Sequence, residues 1–467
     1  MYTSIHSLHI AIKEGKTSFK SQVQFHIDKI IENKETNAFI HVFAEEALNK
    51  AKHLDTQLAS GELQWQRLTG VCISLKDNIC YKDHPCSAGS KILEGYHSPF
   101  NATAVQKLLD EGAIIIGMTN CDQFGMGSTS QNSHYGAVKN GANLEMIAGG
   151  SSGGAAVSVQ IGACIIALGS DTGGSVRQPA AFTDTIGFKP SYGAVSRYGL
   201  IAYGSSFDQI GIIGTNYEDI ETLFDLIRGI DVQDSTTTSI EQSKNLIRNH
   251  KPKIAYIPEM FVGNGAWMDT NRKALEQIKE KIDLIPFDFE YMNYLVPTYY
   301  ILSTAEASSN LSRFDGVRYG YRAENVKDLQ DMYVRSRSEG FGTEVKKRIM
   351  IGTFVLSEGY FDAYFTKALK IRQLLVNKVN EILAGTEGII MPISTSGPWL
   401  LNEKITDPTQ IYLSDVYTVL ANLVGMPCIT VPLRWSDDSA ANSISLQIMN
   451  HKNCDKTIFN LAQLLIN

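Results

Sequence analysis

The chain has 467 residues, of which 43% are hydrophobic and 19% charged. That apolar share suffices for a large core and excludes a globally disordered chain, while a net charge of −7 argues against holding nucleic acid by bulk charge. No apolar run approaches the roughly 18 residues of a membrane-spanning helix, and residues 1–20 lack the apolar stretch of a secretion signal.

Residues 1–60 read as helical, with helix-period apolar residues from Ser18 to Ala59. After a loop at 60–63, residues 70–75 read as a strand running into Lys76-Asp77-Asn78. A helix over 103–111 and a buried strand over 113–118 follow. This alternation predicts an α/β architecture. From Gly149 to Gly214 the chain is dense in Gly, Ser and Thr. Gly149-Gly150-Ser151-Ser152-Gly153-Gly154 leads into a helix predicted over 155–163. A strand over 164–168 then runs into Gly169-Ser170-Asp171-Thr172-Gly173-Gly174-Ser175-Val176-Arg177-Gln178-Pro179. Small residues at this density beside apolar runs imply close backbone approach rather than a flexible linker. Further on, a helix is expected over 217–228, an exposed polar stretch over 231–249 and a strand over 253–257. Residues 270–375 have mostly helical period, strands are expected at 388–392 and 443–449, and a helix at 458–465 ends the chain. The seven cysteines are odd in number and lack a Cys-x-x-C pair. Neither a disulfide framework nor a zinc site is expected, and a reducing, cytoplasmic compartment is.

The two Gly-Ser clusters and Lys76 carry the chemistry. Taken singly, such clusters are ordinarily turns, and a lysine ending a strand is ordinarily solvated. A phosphate cradle is disfavoured, because neither G-x-x-x-x-G-K-[ST] nor a helix-opening G-x-G-x-x-G is present. A Ser-His-Asp triad is poorly supported, since the nearest histidines on either side are His134 and His250. A serine nucleophile with a neutral lysine as base fits better. It requires lowering the lysine pKa by roughly 3 units, about 4 kcal/mol, which burial can supply. A second serine can carry the proton between them, and two glycines before a nucleophile let backbone N–H groups converge on an oxyanion.

Gly149–Gly154 followed by Gly169–Pro179 resembles the signature of the amidase family. The resemblance implies an α/β fold with a large twisted mixed β-sheet flanked by helices on both faces. It implies one amidase domain over 1–467: an N-terminal helical region at 1–60, a signature core at 61–230, and a charge-rich helical insertion or subdomain at about 265–375. It also implies a Ser–cis-Ser–Lys triad, with Ser175 as nucleophile, Ser151 as the bridging serine after a cis peptide, and Lys76 as base. Ser152 would support this network, and the N–H groups of Thr172, Gly173, Gly174 and Ser175 would form the oxyanion hole. Asp171 and Arg177 either contact substrate or form a buried pair that holds the loop, and the second reading is favoured.

Further stretches, 120–133, 186–211, 306–321, 340–354 and 415–432, are similar to the A subunits of glutamyl-tRNA(Gln) amidotransferases. That resemblance implies hydrolysis of glutamine. Arg348 would take its carboxylate, Asp415 its ammonium, Tyr299 would be a further contact, and Met126 would lie in a loop lining the site through its backbone. Without the resemblance, Arg348 in Lys346-Lys347-Arg348 reads as a solvated helix face, Asp415 as a helix cap, and Tyr299 and Met126 as packing residues. The implied partners are the B and C subunits of such an amidotransferase. Glu-tRNA(Gln), or Asp-tRNA(Asn), would be reached through a partner that uses ATP and magnesium; no cofactor, metal or membrane is expected for this chain. The competing expectations are a stand-alone amidase acting on a small amide, and a non-catalytic scaffold. Residues 182–185 and 392–399 depart from the usual pattern.

Overall fold

The computed structural model describes residues 2–239, 251–403, 409–433 and 444–466. Along the chain run α1 (Ile5–Lys13), α2 (Phe19–Glu32), β1 (Phe39–Val42), α3 (Ala44–Ser60), β2 (Cys72–Lys76), α4 (Thr103–Asp110), β3 (Ile114–Thr119), α5 (Gly153–Gln160) and β4 (Ile166–Asp171). Then come α6 (Arg177–Phe182), β5 (Ile186–Lys189), β6 (Gln209–Gly214), α7 (Tyr217–Ile227), β7 (Lys253–Tyr256), α8 (Ala266–Ile278), β8 (Asp283–Pro286), α9 (Leu295–Asn310), α10 (Leu329–Gly340), α11 (Thr343–Val355) and α12 (Lys367–Ala384). The chain closes with β9 (Gly388–Pro392), α13 (Thr409–Leu413), α14 (Val419–Leu423), β10 (Cys428–Leu433), β11 (Ile444–Met449) and α15 (Asp455–Ile466).

All these strands join one mixed sheet of 11, ordered β1-β3-β2-β4-β6-β5-β10-β11-β9-β7-β8. The triplets β3-β2-β4 and β9-β7-β8 are parallel, and the remaining pairs are antiparallel. Strands β2, β3, β4, β6, β9 and β11 are buried at every position, so both faces of the sheet's interior are covered, as parallel strands require. Helices α1, α7 and α10 start at a side-chain cap. Ser4, Asn216 and Asp328 accept the N–H three residues on, at 3.1, 2.8 and 2.8 Å. No described helix is long and apolar enough to cross a membrane.

Several sequence expectations shift. The helical stretch 1–60 is interrupted by β1, and 270–375 contains β8. These two four-residue strands are the edges of the sheet, where half-exposed positions remove the apolar run that marks an interior strand. Strands β5, β6 and β10 also escape the sequence pattern, being broken by Gly187, Gly211 and Pro432. The strand expected at 164–168 starts two residues later and continues to Asp171, which places Ser170 and Asp171 on opposite faces of β4. The polar stretch 231–249 is described only to 239, and there Asp234 is buried against Arg197 rather than exposed.

The helix expected at 155 begins earlier, at Gly153, so the glycine pair lies inside α5. Gly154 is where this helix meets the backbone of two other segments. A Cβ there would run into the Asn120 carbonyl, with the Ala38 carbonyl at 2.5 Å and the Asn120 nitrogen at 2.7 Å. Backbone atoms have no rotamer with which to retreat. Gly154→Ala is therefore expected to lower stability by about 1–3 kcal/mol, read by thermal or urea unfolding; an unchanged transition would show that α5 can move freely.

Candidate active site

The carboxyl ends of the parallel strands β3, β2 and β4 open onto one edge of the sheet, the position where open α/β sheets place ligands. Lys76 is the last residue of β2 and has no exposed surface. Its Nζ lies 2.7 Å from Ser151 Oγ, 2.9 Å from Ser152 Oγ and 2.8 Å from Ser170 Oγ. Burial pulls the Lys76 pKa down, against the opposing pull of Cys121, Asp122, Asp171 and Asp208. The peptide between Gly150 and Ser151 is cis. Ser152 donates to the Ser170 carbonyl at 3.1 Å, and Asn78 Nδ2 donates to Ser170 Oγ at 2.9 Å. Ser170 and Asn78 were not singled out from sequence. Both sit beside marked residues, but only the folded register of β2 against β4 brings Ser170 to the amine and Asn78 to Ser170.

Ser175 follows directly on the turn leaving β4. Its carbonyl accepts the Ser152 N–H at 3.1 Å, which sets it beside the serine pair. Among the described residues its hydroxyl is not hydrogen-bonded to Ser151, so the structure places the two side by side without joining them. Gly173 and Gly174 are required sterically. A Cβ on Gly173 would stand 2.6 Å from the Tyr299 hydroxyl, and one on Gly174 (φ +124) would collide with Thr418. The Gly174 N–H donates to Asp171 Oδ1 at 2.8 Å. This corrects the expected four-donor hole, because that N–H is engaged by a carboxylate; those of Thr172, Gly173 and Ser175 remain candidates.

Asp171 and Arg177 are both fully buried and pair through two parallel bonds, Nε to Oδ2 and Nη2 to Oδ1, each 3.1 Å. Arg177 further donates to Gln447, Asn422 and the Thr418 carbonyl at 2.6, 2.7 and 3.0 Å. Asp171 also accepts the Val176 N–H at 3.1 Å. Burial alone would raise the Asp171 carboxyl, but the charge and hydrogen bonds of Arg177 outweigh it and hold it at about 2. The pair thus clamps the loop from within.

Across the loop that carries Ser175 lie the residues expected to contact substrate. Arg348 is 4% exposed while its neighbours Lys346 and Lys347 face solvent, so the reading of a solvated face fails for Arg348. Its Nε donates to Glu344 at 2.9 Å and its Nη1 to the Tyr203 hydroxyl at 2.7 Å. Asp415 caps no helix; α14 begins after Thr418, without a side-chain cap. Its Oδ2 instead accepts from Ser128 at 2.7 Å and Tyr300 at 3.1 Å. Burial raises the Asp415 carboxyl to about 6, against those bonds and the charge of Arg348. Tyr300 links the two charges, since its ring lies 5.1 Å from the Arg348 guanidinium while its hydroxyl bonds Asp415. Tyr299 is buried with its hydroxyl end against Gly173. Met126 packs in an apolar cluster with Phe124, Phe341 and Val345. The backbone of its neighbour Gly125 approaches the serines, because a Cβ there would stand 3.6 Å from Ser151 Oγ. Ser128, Tyr203 and Tyr300 were missed, since hydroxyls carry no spacing signal.

Removing one member of the clamp strands the other. Arg177→Leu would leave Asp171 buried and unpaired, and is expected to cost about 3–5 kcal/mol of unfolding free energy. Asp171 is depressed from 3.8 to about 2. Its pairing therefore stabilises the wild type fully above pH 4, and that contribution fades as pH falls through 2. Urea titrations of both proteins at neutral pH test this; a loss below about 1 kcal/mol would contradict a buried clamp.

Comparison with known proteins follows the same outline. The amidase family model matches residues 22–459. The chain is 41% identical to the A subunit of the glutamyl-tRNA(Gln) amidotransferase of Chlorobium luteolum, covering 97% of this chain and 94% of that one. It is 42% identical to its namesake from Clostridium botulinum strain Okra, covering 98% and 95%. Among solved structures, the A subunit of the glutamyl-tRNA(Gln) amidotransferase from Thermotoga maritima superposes with a TM-score of 0.77 at 32% identity, over 96% of this chain and 91% of that chain. Peptide amidase from Stenotrophomonas maltophilia shares the fold, with a TM-score of 0.80 at 21% identity over 99% and 96%. With the family pattern spanning nearly its whole length, the chain belongs to the amidase family.

Proposed function

We propose that this chain is the glutamine-hydrolysing subunit of a glutamyl-tRNA(Gln) amidotransferase. One observation carries the reading: a buried cation and a buried anion, Arg348 and Asp415, stand together beside the nucleophile loop, bridged by Tyr300. Free glutamine carries a carboxylate and an ammonium besides its amide. A guanidinium suits the first and a carboxylate the second, while Tyr299 closes the site against Gly173. A stand-alone amidase for apolar amides would need neither charge. The similarity to named A subunits supports the same reading.

In this mechanism neutral Lys76 takes a proton from Ser151, and Ser151 takes one from Ser175. Ser175 Oγ bonds to the side-chain amide carbon of glutamine. The oxyanion is held by the N–H groups of Thr172, Gly173 and Ser175. The proton returns along the same path to nitrogen, the C–N bond breaks and ammonia leaves. Water then cleaves the γ-glutamyl ester, releasing glutamate and restoring Ser175. Ser152 and Ser170 keep Lys76 aimed, and the Asp171–Arg177 clamp holds the loop. Ammonia passes to the B subunit, and the C subunit completes the assembly. The B subunit activates Glu-tRNA(Gln), or Asp-tRNA(Asn), using its own ATP and magnesium.

Ser175→Ala is expected to reduce ammonia release by at least about a thousandfold with an unchanged melting transition; residual turnover near wild type would remove Ser175 as nucleophile. Arg348→Ala should raise the glutamine KM about thirtyfold or more, and raise that for γ-aminobutyramide, which lacks the carboxylate, far less. Asp415 bears on pH. Its carboxyl sits at about 6 in the free site, so it gains a proton as pH falls through 6 and loses its attraction for an ammonium. The ratio of kcat/KM for glutamine to that for glutaric monoamide, which lacks the ammonium, should therefore fall between pH 7 and 5; Lys76 acts on both substrates and cancels. A flat ratio would reject the role of Asp415. Assays of the chain with its partners, ATP and Glu-tRNA(Gln) decide the whole reading. Amide formation on the tRNA-bound glutamate supports it, whereas brisk turnover of small amides with no response to partners or tRNA marks a stand-alone amidase.

A further inference from the structure

The tyrosine whose hydroxyl receives Arg348 and the threonine that opens the loop carrying Ser175 are joined through one buried carboxylate. Asp208 is 3% exposed. Its Oδ1 accepts the Thr172 hydroxyl at 2.7 Å and the Gly204 N–H at 3.1 Å. Its Oδ2 accepts the Tyr203 N–H at 2.8 Å. At the other end of Tyr203, the hydroxyl accepts from Arg348 Nη1 at 2.7 Å and donates to Ser303 at 3.1 Å. The segment between is fastened to two helices. Glu306 of α9 accepts the Ser206 N–H at 2.8 Å, and Arg372 of α12 donates to the Ser206 carbonyl at 3.0 Å. Phe207 packs edge-on against Tyr299, with ring centroids 5.9 Å apart. Residues 203–208 therefore have little freedom to shift except as a block.

The chemistry of the position calls for a carboxylate. Both oxygens face backbone N–H groups, which can only donate, and an ionised carboxylate only accepts. An amide in its place would set an N–H₂ against one of those donors. Burial raises the Asp208 carboxyl to about 6, and the hydrogen bonds from Thr172, Tyr203 and Gly204 pull it back.

We propose that Asp208 is a positioning residue that couples the oxyanion loop to the carboxylate clamp, so that Thr172 and Tyr203 move as one unit. Seating a carboxylate on Arg348 then fixes the N–H groups beside Ser175. Binding energy from a part of the substrate that does not react appears in kcat as well as in KM. The inference rests on the glutamine reading above and adds the route by which recognition reaches the reacting centre.

A double-mutant cycle on the full chain in its amidotransferase complex tests it. Thr172→Val removes the bond to Asp208 and keeps the backbone N–H. Tyr203→Phe removes the bond from Arg348 and keeps the ring. Each is expected to lower kcat/KM for glutamine about tenfold. If the two are coupled, the double variant loses less than the product by about fivefold. On γ-aminobutyramide, which leaves Arg348 empty, the Tyr203→Phe loss should be several times smaller and the coupling should vanish. Asp208→Asn, if it folds, should lower kcat for glutamine and raise its KM together, whereas mere loosening of the fold would lower the active fraction and leave KM alone. Strictly multiplicative losses on glutamine overturn the coupling while leaving the glutamine reading intact. A wild type that treats glutamine and γ-aminobutyramide alike overturns both.

Discussion

A lysine amine without solvent is the constraint around which this molecule is built. Lys76 ends a strand whose five residues are all buried, and three serine hydroxyls surround its nitrogen within 2.9 Å. Hydroxyls satisfy an amine whether or not it is charged, because each can donate or accept. They therefore allow burial to lower the pKa without fixing the protonation state, as a carboxylate partner would. Bringing three chain segments to one nitrogen requires backbones in close contact. That is why glycine accumulates there: at Gly150 and Gly154 a side chain would press on atoms of neighbouring segments, and Gly125 takes a φ of +75° that favours glycine.

Two buried arginines differ in how their charge is met. Arg177 spreads its donors over Asp171, Gln447, Asn422 and a carbonyl. Asp171 correspondingly sits low, at about 2. Arg348 gives bonds to Glu344 and the Tyr203 hydroxyl, and faces Asp415 through a tyrosine ring rather than a direct bridge. Asp415 correspondingly sits high, at about 6. A carboxylate whose buried charge is only partly compensated gains most from an arriving cation, which is the property an ammonium site needs.

Residues 182–185 and 392–399 meet in space. Phe182 and Ile393 are buried in one small cluster with Ile147 and Ala181, flanked by Trp267 and Trp399. Phe182 stands edge-on to both tryptophans, and Gly397 leaves room for the Trp267 ring. A change of size in one wall of such a cluster requires a change in the other.

Much of the site was legible in the chain through the resemblance that its glycine–serine clusters carry. Lys76 follows an apolar run, and Ser151 and Ser175 lie in glycine-dense turns, a pattern that depends on close backbone approach. Interior strands such as β2, β3 and β9 announced themselves by apolar runs. The edge strands β1 and β8 did not, because exposure erases that pattern. Apart from the buried Asp171–Arg177 pair, the fate of charges and hydroxyls was not legible from composition. Lys346, Lys347 and Arg348 are equivalent as letters, and only the packing of α11 against α9 turns one inward. Ser170, Ser128, Tyr203 and Tyr300 acquire roles from partners between 94 and 287 positions away. The sequence by itself carried the glycine–serine clusters, the lysine at the end of β2 and those interior strands whose apolar runs are unbroken, because local composition and periodicity encode them. Tertiary structure alone decided which charges are buried and which partners they meet, because burial and hydrogen bonding between distant segments are properties of the assembled fold.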